Sequence, residues 1–161
     1  NTDIYLVRAN AKIKCEQFKK AIDDLNLYLK CNSNNINALL DRGDCYLKLH
    51  NIELALKDFN EASSLGSEEA LAKVKSIEIQ LQRIDNQKKE DERRIDSHTK
   101  KINENPLNPS FYFGRAMAYK KAKENKVYNF GLAIKDLCKS IDLDPEFEEA
   151  YLKLLEFKIF D

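Results

Sequence analysis

Apolar residues recur at helical spacing over residues 36–69, and a short polar interruption divides them into two sets. The first set is Leu39, Leu40, Gly43, Tyr46 and Leu47, and the second is Ile52, Ala55, Leu56, Phe59 and Ala62. This pattern predicts two amphipathic helices joined by a turn at Leu49-His50-Asn51. Gly43 and Ala55 are small enough to let the two helices approach closely. A pair this short cannot bury its apolar sides alone, so we expect neighbouring pairs to stack on it.

The same pattern returns when the chain is shifted so that Phe18 falls on Ile52. Segment 18–25 then falls on segment 52–59, and segment 130–137 has the same arrangement. Each copy has alanine at one position of its second helix: Ala21, Ala55 and Ala133. The copy that begins at Phe130 ends at a proline, Pro145. The repetition predicts several copies of one helical hairpin.

A period of about 34 residues, with this spacing of small and large residues and a terminal proline, resembles the tetratricopeptide repeat. The residues that carry the resemblance are Gly43, Tyr46, Ala55, Phe59 and Ala62 in one copy and Ala116, Tyr119, Ala133, Ser140 and Pro145 in another. The resemblance implies an all-α fold, a right-handed superhelical solenoid of stacked antiparallel helix hairpins. It is specific for the fold and weak for the function, because this repeat carries many different binding surfaces.

We expect one solenoid over residues 1–161. Its units are 2–35, 36–69, 70–108 and 109–147, and residues 148–161 begin a fifth helix pair or form a capping helix. The third and fourth units exceed the period by a few residues, which we place near 85–91 and near Lys123–Asn129. Because the sequence is repeat-like at both ends and lacks an initiator Met, we expect a fragment of a longer chain.

The third unit departs from the pattern. Arg94 stands where the other units have alanine, and His98 replaces the usual aromatic residue or leucine, as a partly buried substitute for it. Residues 69–104 contain no Gly or Pro and are rich in Glu, Lys, Arg and Gln, which also permits one uninterrupted helix. The repeat favours a bent hairpin with an insertion, and the straight helix is the alternative.

Arginine and aspartate vary together among the units. Arg8, Arg42 and Arg115 share one position of the first helix, and Asp24, Asp58 and Asp136 share one position of the second. In the third unit we align Ser76 and Ser97 with these positions, so both charges are lost together. We therefore predict a structural ion pair within each of the other units. The alternative is that the arginine row binds an acidic partner.

Composition excludes several classes of function. The chain has 161 residues, 34% charged and 43% hydrophobic, with a formal net charge of zero. No general electrostatic attraction to nucleic acid or to an anionic membrane is expected. No apolar run reaches the roughly 18 residues of a membrane span, and the N-terminus has no targeting pattern. We therefore expect no nucleic acid partner, no membrane insertion and an intracellular, cytoplasmic protein.

The residue types that carry chemistry are not arranged for catalysis. The four cysteines, Cys15, Cys31, Cys45 and Cys138, have no CxxC spacing, so reduced thiols are favoured over a disulfide or a metal site. His50 and His98 have no metal-ligand spacing, and no phosphate-binding glycine motif or nucleophile elbow occurs. We expect no enzyme activity, no metal and no cofactor.

In proteins with this repeat, the first helices line a groove that holds a peptide or a partner helix. Carried onto this sequence, the resemblance implies a partner-binding groove of Leu6, Asn10, Lys14, Asn37, Asp44, Lys48, Glu78, Phe113, Met117, Lys120 and Lys121. Leu40, Leu47, Val74 and Leu81 complete this lining. Each apolar member is alternatively part of the core between units.

One subgroup of the family clamps the C-terminal carboxylate of a chaperone. Asn10 matches that clamp, but Leu6 replaces its lysine and Asp41 replaces its second asparagine. Lys73 and Lys75 are out of phase with its last basic pair. We therefore favour a non-catalytic scaffold that holds partner proteins in a multiprotein assembly, and family habit suggests a cytoskeletal or ciliary one. A peptide-binding adaptor or co-chaperone that recognises an acidic C-terminal peptide is the alternative.

Overall fold

The structure is a computed structural model, and it describes residues 2–122 and 130–158, with side chains to residue 157. Eight helices occur in this part of the chain. They are α1 (Asp3–Lys14), α2 (Phe18–Cys31), α3 (Ile36–Lys48), α4 (Ile52–Ser64), α5 (Glu68–Glu104), α6 (Pro109–Lys121), α7 (Phe130–Leu143) and α8 (Glu148–Lys158). The chain divides into two compact units, residues 1–80 and 81–161. The surplus predicted at Lys123–Asn129 lies outside the described residues.

Side-chain caps and one repeated turn conformation set the helix ends. The carboxamide oxygens of Asn35 and Asn51 accept hydrogen bonds from backbone N–H groups at the starts of α3 and α4. The hydroxyl of Ser67 does the same for α5, accepting from the N–H of Ala70 at 3.1 Å. Glu16 and His50 occupy equivalent turn positions and adopt φ values of +56° and +58°. The predicted period is therefore visible in the backbone of the turns.

In the first compact unit, residues 1–80, α1 packs with α2 and α3 packs with α4, while α2 also contacts α3. Ala21 and Ala55 are fully buried. Gly43 lies against the ring of Phe59, and a Cβ atom added at Gly43 would be 2.5 Å from Phe59 Cε1. Full burial of a phenylalanine contributes about 2–3 kcal/mol, which here requires the absence of a side chain on α3. The predicted close approach of these two helices is confirmed.

The second compact unit, residues 81–161, contains a further hairpin formed by α6 and α7, and α8 packs on α7. Ala116, Ala133 and Leu137 are fully buried in one core, to which Ala150 and Phe157 of α8 also belong. A smaller cluster joins Ile95 of α5 to α6 through Ala118 and Ala122. The predicted all-α fold of stacked antiparallel hairpins, typical of tetratricopeptide repeats, is confirmed in each unit.

The hairpin favoured for the third repeat unit, residues 70–108, is wrong, because α5 is a single helix of 37 residues. The segment predicted to turn, 85–91, is helical and stabilised by side chains one helical turn apart. Lys89 pairs with Asp85 at 2.6 Å, and Arg94 pairs with Glu90 at 3.3 Å. No Gly or Pro interrupts this segment and these pairs span it, so the helix continues.

The repeat register within α5 also differs from the one predicted. Ser67 caps Ala70 as Asn35 caps Ala38, so the third unit begins two positions earlier than the period predicts. Val74, and not Ser76, therefore occupies the position of Arg42. Val74 is buried in the first core together with Ala70 and Ile77, so an apolar contact replaces the ion pair at this point.

Candidate protein-interaction site

The structure brings all three predicted arginine–aspartate pairs together as two-pronged contacts. Nε of Arg8 donates to Asp24 Oδ2 at 2.8 Å, and Nε of Arg42 donates to Asp58 Oδ2 at 2.8 Å. In the second unit, Nε and Nη2 of Arg115 donate to Asp136 at 2.7 and 2.8 Å. Each guanidinium joins the first helix of a hairpin to the second, which is the structural alternative favoured by the sequence.

Burial and charge make these pairs internal links. The three carboxylates are buried, with 2%, 2% and 5% of Asp24, Asp58 and Asp136 exposed. The hydrogen bond from Arg8, helped by Lys12, lowers the pKa of Asp24 to about 2. With that pKa, Asp24 stays ionised at neutral pH. Asp58 and Asp136 are in the same two-pronged contact, so each arginine is paired within its own hairpin.

Two of the arginines also reach the preceding helix, a contact that was not predicted. Arg42 Nη1 donates to Asn26 Oδ1 at 2.8 Å, and Arg115 Nη1 donates to Thr99 Oγ1 at 3.1 Å. Asn26 and Thr99 each precede their arginine by 16 residues. A polar residue at that fixed distance was the available signal in the sequence. These arginines therefore tie three successive helical segments together.

The predicted groove residues of the first unit divide into open and occupied positions. Asn10, Lys14, Asn37 and Lys48 are exposed. Asp44 is paired with Lys73 of α5, whose Nζ lies 2.8 Å from Asp44 Oδ1. Others belong to the core or pack against it: Leu6, Leu40, Leu47 and Val74. Leu40 is buried in the core, whereas Leu47 is only partly buried and packs against it.

A groove of about 580 Å³ lies where the α1–α2 turn faces α3. Its lining consists of Ile13, Phe18, Asp41, Asp44, Cys45, Leu47 and Lys48. It brings together two predicted site residues, Asp44 and Lys48, with Asp41, the residue that departs from the carboxylate clamp. The groove has an apolar wall, two carboxylates and one lysine at its edge.

Burial shapes the chemistry of this groove. Burial first, and then the charges of Asp44 and Glu69, raise the pKa of the Asp41 carboxyl, while Lys73 opposes the shift. Burial also raises the pKa of the Cys45 thiol to about 11. A thiol with that pKa stays protonated at neutral pH and is a poor nucleophile. The groove can bind a polar or charged group, and Cys45 contributes packing.

The predicted site residues of α6 lie mostly against the C-terminal part of the chain. The rings of Phe113 and Phe147 are 5.1 Å apart, and Met117 packs into the same core. Lys120 pairs with Glu156 of α8 at 3.0 Å, whereas Lys121 is exposed. Phe113 and Lys120 are therefore in contact with the segment before α8 and with α8 itself.

The last two predicted groove positions lie on α5, and both are exposed. Glu78 and Leu81 belong to a stretch, residues 78–90, in which every residue is exposed. They do not line the groove beside α3. Of the predicted positions in residues 1–80, Asp44, Leu47 and Lys48 line this groove.

No group of three or more His, Cys, Asp and Glu side chains is placed to hold a metal ion in the part of the chain that the structure describes. Over residues 2–122 and 130–158, no helix is both long and apolar enough to cross a membrane.

His98 packs against α6, and a Cβ atom added at Gly114 would be 2.3 Å from its Cε1. Its partial burial agrees with a substitute for an aromatic residue.

No protein-family model and no curated protein sequence matches the chain. Among solved structures, a crystal structure of MamA is similar, with 24% identity and a TM-score of 0.47, over 98% of this chain and 82% of that one. The TPR2AB domain of yeast Sti1 in its pHSP90 complex has 19% identity and a TM-score of 0.47, covering 99% and 70%. YrrB, described as a TPR protein with an unusual peptide-binding site, has 15% identity and a TM-score of 0.47, covering 95% and 91%.

At these identities and TM-scores, the fold rests on the hairpins of the chain itself. The repeat period is present in the turns at Glu16 and His50. Small residues are buried where paired helices meet, as at Gly43 and Ala55. These features give the chain a fold of the tetratricopeptide type.

Proposed function

We propose that this chain is a non-catalytic scaffold that holds partner proteins in a multiprotein assembly. The groove beside α3 is the surface through which it binds them. The observation that carries the proposal is the groove itself, a polar and apolar depression of about 580 Å³ that is open to solvent. A groove of this size suits a peptide segment or a few side chains of a partner.

The side chains in and around the groove support binding better than catalysis. The thiol of Cys45 is protonated at neutral pH because its pKa is raised. Among the described residues, the groove lining contains no histidine and no hydroxyl side chain. The pairing of a hydroxyl nucleophile with an imidazole base is therefore missing from it. The free cysteines agree with the intracellular, cytoplasmic location that we propose.

The alternative, recognition of an acidic C-terminal peptide, is opposed by the charges in this groove. Asp41 and Asp44 line it, and the nearest basic group of α5, Lys73, is neutralised by Asp44. A peptide carboxylate placed here would face Asp41 without a free α5 lysine to offset the repulsion. The groove therefore favours a partner with other chemistry.

The test is capture of partners from native extract with a photoreactive side chain at position 48. Lys48 lies at the groove, and Lys57 is an exposed lysine on α4 that serves as the matched control. We expect defined proteins to be cross-linked from position 48 and not from position 57. A chain that captures no protein from position 48, or captures the same proteins from both positions, contradicts the proposal.

A further inference from the structure

Two carboxylates line the groove, and that of Asp41 is the one without an ion pair among the described residues. It lies in α3, one residue before Arg42, and is half-buried beside Ile13, Phe18 and Leu47. Within the described residues, no hydrogen bond or ion pair joins it to another side chain. A carboxylate among apolar groups is stabilised by a cation that can bind it.

Neither lysine near the groove is paired with Asp41 among the described residues. Lys48, at the edge of the groove, is exposed and makes no hydrogen bond or ion pair with Asp41. Lys73 contacts both oxygens of Asp44, at 2.8 and 2.9 Å, and lies 3.7 Å from Glu69. Three carboxylates, of Asp41, Asp44 and Glu69, therefore share the ammonium group of Lys73. Negative charge is left in excess on the side of the groove that Asp41 occupies.

The apolar side of the same groove limits what a cationic ligand can be. Ile13, Phe18 and Leu47 form a surface beside Asp41 that a free metal ion would leave unused. A side chain with an apolar stem and a charged end can cover this surface and still reach the carboxylate. Arginine fits best, because its planar guanidinium can donate two hydrogen bonds to one carboxylate.

From this charge complementarity we propose that the groove is a docking site for an arginine or lysine side chain in an extended partner segment, with an apolar residue next to it. The arginine binds Asp41, and the apolar neighbour packs on Phe18 and Leu47. This inference rests on the proposed function and specifies its partner chemistry. It is opposite in charge to recognition of a peptide carboxylate.

The experiment is an amide chemical-shift titration of the isotope-labelled chain with two capped peptides. One is Ala-Leu-Arg-Leu-Ala, and the matched peptide has Glu in place of Arg. We expect the Arg peptide to shift amides of residues 41–48, and the Glu peptide to leave them unchanged. Equal responses to both peptides, or no response at residues 41–48, would overturn the proposal.

Two variants make the test specific. Asp41→Asn keeps the shape of the side chain and removes its charge, so the affinity for the Arg peptide should fall about tenfold. Asp23→Asn changes an exposed aspartate on α2 and should leave that affinity within about twofold. An unchanged affinity in Asp41→Asn refutes the docking site. Because Asp41 is not a core ion pair, the thermal midpoint of the variant should not fall, which checks that it folds.

The outcomes also separate this inference from the proposed function. If partners are captured from position 48 but the Arg peptide does not bind, the scaffold function stands and the cationic docking site is refuted. If the Arg peptide binds and extract yields no partner at position 48, the docking chemistry stands and the scaffold proposal is contradicted.

Discussion

The α3–α4 hairpin and the α5 helix are both built from amphipathic, repeat-like sequence, yet one bends and the other does not. The hairpin has a turn at His50 with positive φ, an Asn51 cap, and Gly43 against Phe59. At the corresponding places α5 has no residue with positive φ, two ion pairs one helical turn apart, and Arg94 in place of a buried alanine. Amphipathic pattern alone is therefore insufficient to specify a hairpin, and a small residue at the helix crossing is a second requirement.

The largest effect should come from a proline in the middle of α5. Ile84 is 57% exposed, so Ile84→Pro removes little packing, but a proline inside a helix costs about 3 kcal/mol. We expect amides 80–90 to lose protection in hydrogen exchange. Ile84→Ala is the control and should keep that protection. Unchanged protection in the proline variant would mean that the segment is already a turn.

The second effect tests the arginine–aspartate links that α5 lacks. Asp58→Ala leaves Arg42 partly buried without its carboxylate, which should lower the free energy of unfolding by about 2–3 kcal/mol. Urea denaturation measures this loss. Ser97→Ala, at the aligned position of α5, is exposed and should change stability by less than about 0.5 kcal/mol. Similar losses in both variants would show that the link has no special role.

The third effect concerns matched sizes at the helix crossing. Gly43 faces Phe59, whereas the equivalent buried residues of the first hairpin are Ala9 and Leu25. Gly43→Ala should destabilise by about 1–2 kcal/mol, since overpacking outweighs the gain in helix propensity. The double variant Gly43→Ala with Phe59→Leu reproduces the first hairpin. In a double-mutant cycle, its free energy of unfolding should be higher than the sum of the two single effects predicts. Simple additivity of the two effects would contradict the size match.

The smallest effect is the pH dependence introduced by His98, whose Nδ1 is buried and has no hydrogen-bond partner among the described residues. Burial, and then Lys101 and Arg115, lower its pKa below 6.5. The unfolded chain therefore binds the proton more readily, and stability falls as the pH drops below about 6.5. His98→Phe should raise the thermal midpoint more at pH 5 than at pH 8. An equal change at both pH values would contradict this assignment.

The sequence predicted those features that repeat. The hairpins of the first unit followed from the period, and Arg42 and Asp58 were paired because three copies share them and one copy lacks both. Each of these signals is local or is present in several copies, so one sequence is enough to detect it.

Features that depend on a change of register could not be predicted in this way. The link between Lys73 and Asp44 requires α5 to begin two positions earlier than the period predicts, and the period itself gives no sign of that shift. The contacts of Phe113 and Lys120 depend on where α8 and the segment before it pack. The exposed segment 78–90 arises because the insertion extends the helix instead of forming a turn.

The most direct measurement is the distance between spin labels at Gln82 and Asp96, both exposed on α5, after the exposed cysteines are replaced by serine. The continuous helix between them corresponds to about 21 Å along the axis, whereas a hairpin turning between them would bring them to about 10 Å. Labels at Asn37 and Ser64, on the two arms of the α3–α4 hairpin, provide the short-distance reference. We predict the long distance of continuous helix for the α5 pair, and a distance matching the hairpin pair would contradict the single helix.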